Sequence, residues 1–281
     1  MRKVWFITGA GSGIGAGIAK AALKAGDRVV ATARDLDRAR NALRDIANEH
    51  LAFVRLDVSD EAQAKAAVEE ALKRFGRIDV AVNNAGYSVL GNFEEMTTAE
   101  IEREFATNFY GVTYVMRAVL PVMRKQRSGH IINISSLAGL VGFKHCSAYG
   151  ATKFAVEGLS LSVAMEVAQF GIKVTVVEPG FFRTDLLDAR NIRWSSNAID
   201  DYAAEGSIQE TWSAYHGKQP GDPARLGDAL VKLAAMENPP KQFLAGSDAL
   251  SLIAPALEAR LKEIGTYEAL SKATDGRFQQ G

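Results

Sequence analysis

The sequence predicts an α/β protein with a doubly wound parallel sheet of about seven strands and helices on both faces. Three observations carry this. Short β-branched or apolar runs alternate with amphipathic stretches about six times along the 281 residues. The first run passes directly into Thr8-Gly-Ala-Gly-Ser-Gly-Ile-Gly15, a glycine-rich turn that opens a helix. No repeat or low-complexity linker divides the chain, so residues 1–281 are expected to form one domain.

The strand signals fall at Val4–Thr8, Arg28–Ala33, Leu51–Arg55, Ile78–Asn83, His130–Ile134, Lys173–Glu178 and Gln242–Gly246. The spacer Asp60–Gly76 shows how the helices between them are encoded. Ser59 or Asp60 can cap it, Val68, Leu72 and Phe75 share a face, and Lys73-Arg74 followed by Gly76 supply a cationic end and a stop. A longer helix over 98–120 starts at Thr97 or Thr98, with Glu100 completing a capping box. Its apolar stripe is Ile101, Phe105, Val112, Val115 and Val119, interrupted by Asn108. A buried amide must be hydrogen-bonded, so Asn108 is either a core asparagine or part of a site.

Two segments depart from the alternation. Residues 181–220 carry no strand signal but hold Phe181, Phe182, Trp194, Tyr202, Trp212 and Tyr215, which reads as an aromatic insertion, a substrate lid. Ser247–Ile264 gives a last helix, and 265–281 is a polar, loosely held tail.

Composition excludes several classes of function. Apolar residues make up 47% and charged residues 23%, with 7 prolines, which is ordinary globular usage rather than disordered, collagen-like or coiled-coil. Lysine plus arginine and aspartate plus glutamate are both 33, so no positive excess points to nucleic acid or an acidic membrane. Cys146 has no partner for a disulfide, and His50, His130, His145 and His216 show no metal-ligand spacing with it or with one another, so no metal is expected. Val4–Ile7 is too short for a signal segment, and no run reaches the ~18 residues of a membrane span, which reads as a cytoplasmic protein.

The glycine-rich turn is where chemistry enters. With side chains missing at the four glycines, the backbone of Gly9, Gly11, Ser12, Gly13, Ile14 and Gly15 can approach a pyrophosphate, with helix N–H groups donating and the helix dipole favouring the negative charge. Taken alone, the same spacing also suits a tight strand-to-helix turn; its place after the first strand of a βα series favours the dinucleotide reading and a Rossmann-like sheet. The second strand ends Ala31-Thr32-Ala33-Arg34 with no acid to receive ribose hydroxyls. The Arg34 guanidinium suits a 2′-phosphate, which selects NADP(H), although a solvated arginine opening a charged helix has the same pattern. Tyr149 and Lys153 lie four apart on a small-residue helix, thirteen residues after Ser136 at the end of a strand, so the three can converge at a sheet edge where ligands bind.

This arrangement resembles the short-chain dehydrogenase/reductase family in its single-domain branch. Residues 1–180 match almost throughout, in Thr8–Gly15, Asp57-Val58, Asn83-Asn84-Ala85-Gly86, Asn108, Ser136, Tyr149-Gly-Ala-Thr-Lys153, and Pro179-Gly180 with Thr184. Tyr87 and the run Tyr149–Gly158 look most like the 17β-hydroxysteroid-dehydrogenase-like reductases. The resemblance implies that Asn108, Ser136, Tyr149 and Lys153 form the catalytic set, that Lys153 also holds the nicotinamide ribose, and that Asn108 anchors a water on a proton relay. It implies that Asp57 and Val58 meet the adenine and that Pro179, Gly180, Phe182 and Thr184 fix the carboxamide. Chemistry supports the roles: a Tyr149 phenol lowered from ~10 toward ~7, about 4 kcal/mol of phenolate stabilisation, is a suitable proton donor to a developing alkoxide.

The expected function is an NADP(H)-dependent oxidoreductase interconverting a ketone and a secondary alcohol. A non-catalytic dinucleotide sensor, an acyl-thioester ketoreductase and a nucleotide-sugar epimerase or dehydratase are the alternatives. The lid aromatics, with Leu186, Leu187, Ile192 and Ile199, and loop residues Tyr87, Val89, Leu140, Phe143, His145 and Cys146 suit a bulky neutral substrate; Arg183, Arg190 and Arg193 are the charged exceptions. The same aromatics suit packing against the domain or a second subunit equally well. Apolar residues left over on the helices around 101–125 and 149–170 suggest a homodimer or homotetramer, by resemblance to the family interface.

Overall fold

Alternation along the first strand sets the layers of the molecule. In the computed structural model, which describes residues 2–184, 192–203 and 206–276, Trp5 and Ile7 of β1 (Val4–Thr8) face one layer and Phe6 the other, all three fully buried. A strand covered by helices on both faces has to be apolar at every position. The chain continues through α1 (Gly13–Lys24), β2 (Arg28–Ala33), α2 (Leu36–Ala42), β3 (Leu51–Arg55), α3 (Glu61–Phe75), β4 (Val80–Asn83) and a two-residue β5 (Val89–Leu90). Next come α4 (Thr98–Phe105), α5 (Gly111–Gln126), β6 (Gly129–Ile134), α6 (Ser147–Val167) and β7 (Ile172–Pro179). The remainder is β8 (Arg193–Trp194), α7 (Asp200–Ala203), α8 (Ile208–Ser213), α9 (Pro223–Ala235), β9 (Gln242–Ala245), α10 (Ser247–Thr266) and α11 (Glu268–Lys272).

Seven strands form one sheet in the order β3-β2-β1-β4-β6-β7-β9, every neighbouring pair parallel. The chain winds outward from β1 to β3, returns to β4 on the other side of β1, and winds outward again. A crevice opens at that reversal, beyond the carboxyl ends of β1 and β4. Ile18, Ala22, Leu226 and Leu230 from α1 and α9 fill one face, whereas Val68, Val115, Val119 and Val156 from α3, α5 and α6 fill the other.

Most boundaries follow from local signals. Asp35, Asp60, Thr97 and Asp222 accept backbone N–H bonds at the starts of α2, α3, α4 and α9, and α3 stops at Gly76 with φ 77°, a left-handed conformation suited to glycine. The helix expected over 98–120 is not one rod. A π-helical turn, Ala106–Tyr110, separates α4 from α5, and the latter runs on to Gln126. The segment expected to lack strands contains β8, which pairs with β5 through Val89–Arg193 and Leu90–Trp194. Helix continues past Ile264 through α10 and then α11, with residues 257–276 exposed. Among the described residues no helix is long and apolar enough to cross a membrane.

Candidate active site

A cleft of about 980 Å³ lies at the carboxyl ends of β1, β4, β6 and β7, at the upper end of the range for small-molecule sites. Its floor is the glycine-rich turn. Thr8, at the end of β1, ties the turn to the next loop: its hydroxyl accepts from the N–H groups of Asn84 and Ala85 at 2.9 and 3.0 Å. The Asn84 amide donates back to the carbonyls of Thr8 and Gly9 at 2.9 and 3.2 Å. Gly9 has φ 66°, and a Cβ on Gly15 would lie 2.3 Å from the Gly9 carbonyl oxygen, so Gly15 closes helix against turn rather than facing the cleft. Gly9, Gly11, Ser12, Gly13 and Ile14 line the cleft. Unlike α2, α3, α4 and α9, α1 has no side-chain cap at Ser12, so N–H groups of its first turn are available to an anion.

The other expected cofactor residues fall into two groups. Arg34, Asp57, Val58, Asn84, Ala85, Gly86, Pro179, Gly180, Phe182 and Thr184 all line the cleft. Arg34 is exposed and makes no ion pair among the described residues. Asp57 holds the N–H and hydroxyl of Ser59 at 3.0 and 2.7 Å. Asn83, by contrast, is buried between strands and donates its amide to Asn133 at 2.8 Å. Adjacent strand residues point to opposite faces, which sends Asn83 into the sheet and leaves Asn84 to the cleft. Asp248, at the start of α10, accepts from the Phe181 N–H at 2.7 Å and holds the Pro179–Phe182 loop. In the sequence it reads as an ordinary acid at a helix start.

Ser136, Tyr149 and Lys153 meet on one wall. Ser136 leaves β6 in an extended conformation, accepts from the Ala138 N–H at 3.2 Å, and lies near enough to Tyr149 to act on its phenol. One helical turn along α6, the buried Lys153 ammonium donates to the Ile134 carbonyl at 2.9 Å and lies 5.5 Å from the centre of the Tyr149 ring. Asn108 stands behind this wall, in the π-helical turn. Its amide nitrogen donates to the Tyr87 carbonyl at 2.8 Å and to Thr152 Oγ1 at 3.3 Å, and its oxygen accepts from the Tyr87 N–H at 3.1 Å. The extra residue of a π turn accommodates such a side chain where a regular helix would aim it elsewhere.

Burial dominates the electrostatics. It pushes the Tyr149 phenol above its ordinary range, against the opposing effect of Ser136, and lowers Lys153 to about 8. The lowered phenol expected from the sequence is therefore not found: the ammonium is held by the Ile134 carbonyl and does not offset the cost of a buried phenolate. Burial also pushes Glu104 up to about 7 and, with the like charge of Glu157, Glu178 up to about 8. Neither acid is distinguishable from a surface glutamate in the sequence. The Cys146 thiol, raised by burial to about 12, is no thiolate nucleophile, and the described residues contain no metal-binding cluster.

The outer half of the cleft is apolar. Leu90, Cys146 and Ile192 pack with Phe143, Trp194 and Trp212, while Tyr87, Val89 and Phe181 complete the wall. The segment after 192 is fastened across the mouth: Ser196 Oγ donates to Glu100 at 2.5 Å, the Ile199 N–H to Glu95 at 3.0 Å, and the Tyr202 hydroxyl to Glu94. Of the six aromatics, Phe181, Phe182, Trp194 and Trp212 line the cleft and Tyr202 and Tyr215 do not; Leu140 and His145 also lie away from it. Leu186, Leu187 and Arg190 lie outside the described residues.

Comparison with known proteins agrees with this geometry. The family model for short chain dehydrogenases matches residues 3–193. The chain is 38% identical to oxidoreductase BOA17 of Botryotinia fuckeliana, over 98% of this chain and 100% of that one. It is also 38% identical to the 3-ketodihydrosphingosine reductase of Bacteroides thetaiotaomicron, over 87% and 88%. A short-chain dehydrogenase crystal structure from Streptomyces avermitilis superposes with a TM-score of 0.89 at 38% identity, covering 98% of this chain and 100% of that one. The structures of ElxO with NADP (TM-score 0.72, 32% identity, 87% and 97% covered) and of a Brucella melitensis 3-ketoacyl-(acyl-carrier-protein) reductase with NADH (0.73, 28%, 88% and 98%) share the fold. A parallel sheet wound about a glycine-rich turn, a Ser–Tyr–Lys wall beside it and relatives matched nearly end to end establish that this chain is an oxidoreductase of the short-chain dehydrogenase/reductase family.

Proposed function

We propose that the protein is an NADP(H)-dependent reductase or dehydrogenase interconverting a bulky, apolar ketone and its secondary alcohol. The observation that carries this reading is the wall formed by Ser136, Tyr149 and the buried Lys153, which opens onto an apolar chamber that adjoins the glycine-rich turn. The residues present fit the dinucleotide. The uncapped start of α1 suits its pyrophosphate, the exposed Arg34 a 2′-phosphate, and the buried Lys153 its ribose hydroxyls. When bound, the nicotinamide supplies or accepts the hydride.

The chain's own groups do the rest. Ser136 holds the substrate oxygen by hydrogen bonding, an oxyanion-type contribution, and Tyr149 delivers the proton to that oxygen. The phenol starts from a raised pKa, so in this setting it is a firmly protonated acid, and a cation brought closer to its oxygen would ease proton release. Trp194, Trp212 and Phe181 exclude water from the chamber, which is the role of a lid. The resemblance to 17β-hydroxysteroid-dehydrogenase-like reductases and the likeness to a 3-ketodihydrosphingosine reductase both support an apolar substrate.

Exposed Tyr110, Phe154 and Met165 on the helical faces around 101–125 and 149–170 support a homodimer or homotetramer, which light scattering at micromolar protein tests. NADPH oxidation measured against neutral ketones, short aldehydes, acyl thioesters and sugars tests the substrate. Turnover of bulky ketones is expected. A clear preference for thioesters or sugars overturns the substrate class and leaves the Tyr149 assignment standing.

A further inference from the structure

Glu104 is completely buried on α4, four residues before Asn108, and the reductase chemistry assigns it no part. One carboxyl oxygen accepts from the Val89 N–H at 3.1 Å. The other is buried without a hydrogen-bond partner. An acid in that state costs free energy that an apolar side chain would not, unless its charge or its reach serves the site. What surrounds it is specific. Tyr87 on the chamber wall, Cys146 in the turn before α6, and Tyr149 and Lys153 on α6 all lie within reach of its charge. Lys153 is the cation of this group, and Glu157, one turn along α6, also acts on it electrostatically.

We infer that Glu104 is a positioning residue that fastens the Tyr87–Leu90 wall through the Val89 amide and sets a buried negative charge opposite the Lys153 ammonium. The second half of this role rests on the reading of Tyr149 and Lys153 as the reacting pair; the first does not. Val89 belongs to β5, which carries β8 and with it Trp194, so this carboxyl group, together with Asn108, is one of the points that tie the apolar chamber to the domain. The carboxyl, pushed up to about 7, is still an acceptor when protonated but then gives Lys153 no support.

Two variants separate the functions: Glu104→Gln keeps an acceptor for Val89 and removes the charge, whereas Glu104→Ala removes both. Amide exchange at Val89, measured on the protein alone, is expected to speed up at least ~10-fold in E104A and to stay within ~3-fold of wild type in E104Q. Should E104A not fold, Glu104→Asp, one methylene short of Val89, takes its place with the same expectation. NADPH affinity followed by fluorescence against pH reads the charge: its loss at high pH, where Lys153 gives up its proton, moves down by at least ~0.5 unit in E104Q. Equal Val89 exchange in all the proteins overturns the fastening role, and an unmoved pH limb overturns the electrostatic one. If no ketone is turned over by the wild type, the reductase reading fails while the exchange comparison still decides the fastening.

Discussion

Asn108 grips the backbone of Tyr87 from both sides, its oxygen accepting from the N–H at 3.1 Å and its nitrogen donating to the carbonyl at 2.8 Å. The residue that breaks the apolar stripe of its helix is thus the clamp on the loop between the cofactor turn and the chamber. Asn108→Ala leaves both Tyr87 groups without this partner in a nearly dry setting. It is expected to lower unfolding free energy by ~2–4 kcal/mol. Urea denaturation of the two proteins checks this, and a loss under ~0.5 kcal/mol would mean that water or backbone replaces the clamp without cost.

In the proposed reading, cofactor choice turns on Arg34. With Ala33 where an acid would receive ribose hydroxyls and the exposed Arg34 guanidinium on the cleft, NADPH is expected to bind at least ~10-fold more tightly than NADH, about 1.4 kcal/mol. The double change Ala33→Asp and Arg34→Ser should reverse the order. Fluorescence titration with both cofactors decides it; a wild type that prefers NADH removes Arg34 from the site.

The two buried acids behind the site predict how stability depends on pH. Glu178 titrates near 4.5 when free and is pushed up to about 8 in the fold, first by burial and then by the like charge of Glu157. Between those values the folded protein holds more protons than the unfolded one, so this group's contribution to stability falls as pH rises from about 4.5 to about 8. Glu178→Gln is therefore expected to match wild type near pH 5 and to exceed it by at least ~1 kcal/mol near pH 8.5. Thermal unfolding at the two pH values tests the sign; a variant that is less stable at the higher value contradicts it.

What was legible in the sequence was whatever is encoded locally or by chain order. The strands β1, β2 and β3 and the caps at Asp60 and Thr97 depend on alternation and on residues within a turn of each boundary. Ser136, Tyr149 and Lys153 converge because parallel strands deliver their carboxyl ends to one edge. The π-helical turn at Asn108 was not legible, because the helix opens there to satisfy Tyr87, 21 residues away. Nor was β8, whose two residues pair only because β5 lies within reach. Glu102 and Glu104 look alike in the chain, and only packing makes one exposed and the other buried.

Tyr149→Phe is the variant that bears most directly on the chemistry, because it removes the phenolic proton and little else. NADPH oxidation with a ketone that the wild type accepts is measured beside NADPH binding by fluorescence. Turnover is expected to fall by at least ~10³-fold, at the upper part of the range for a general acid, with NADPH affinity within ~3-fold of wild type. Lys153→Met, as a companion, should weaken both. A Tyr149→Phe protein that turns over the ketone at the wild-type rate would contradict the assignment of Tyr149 as the proton donor.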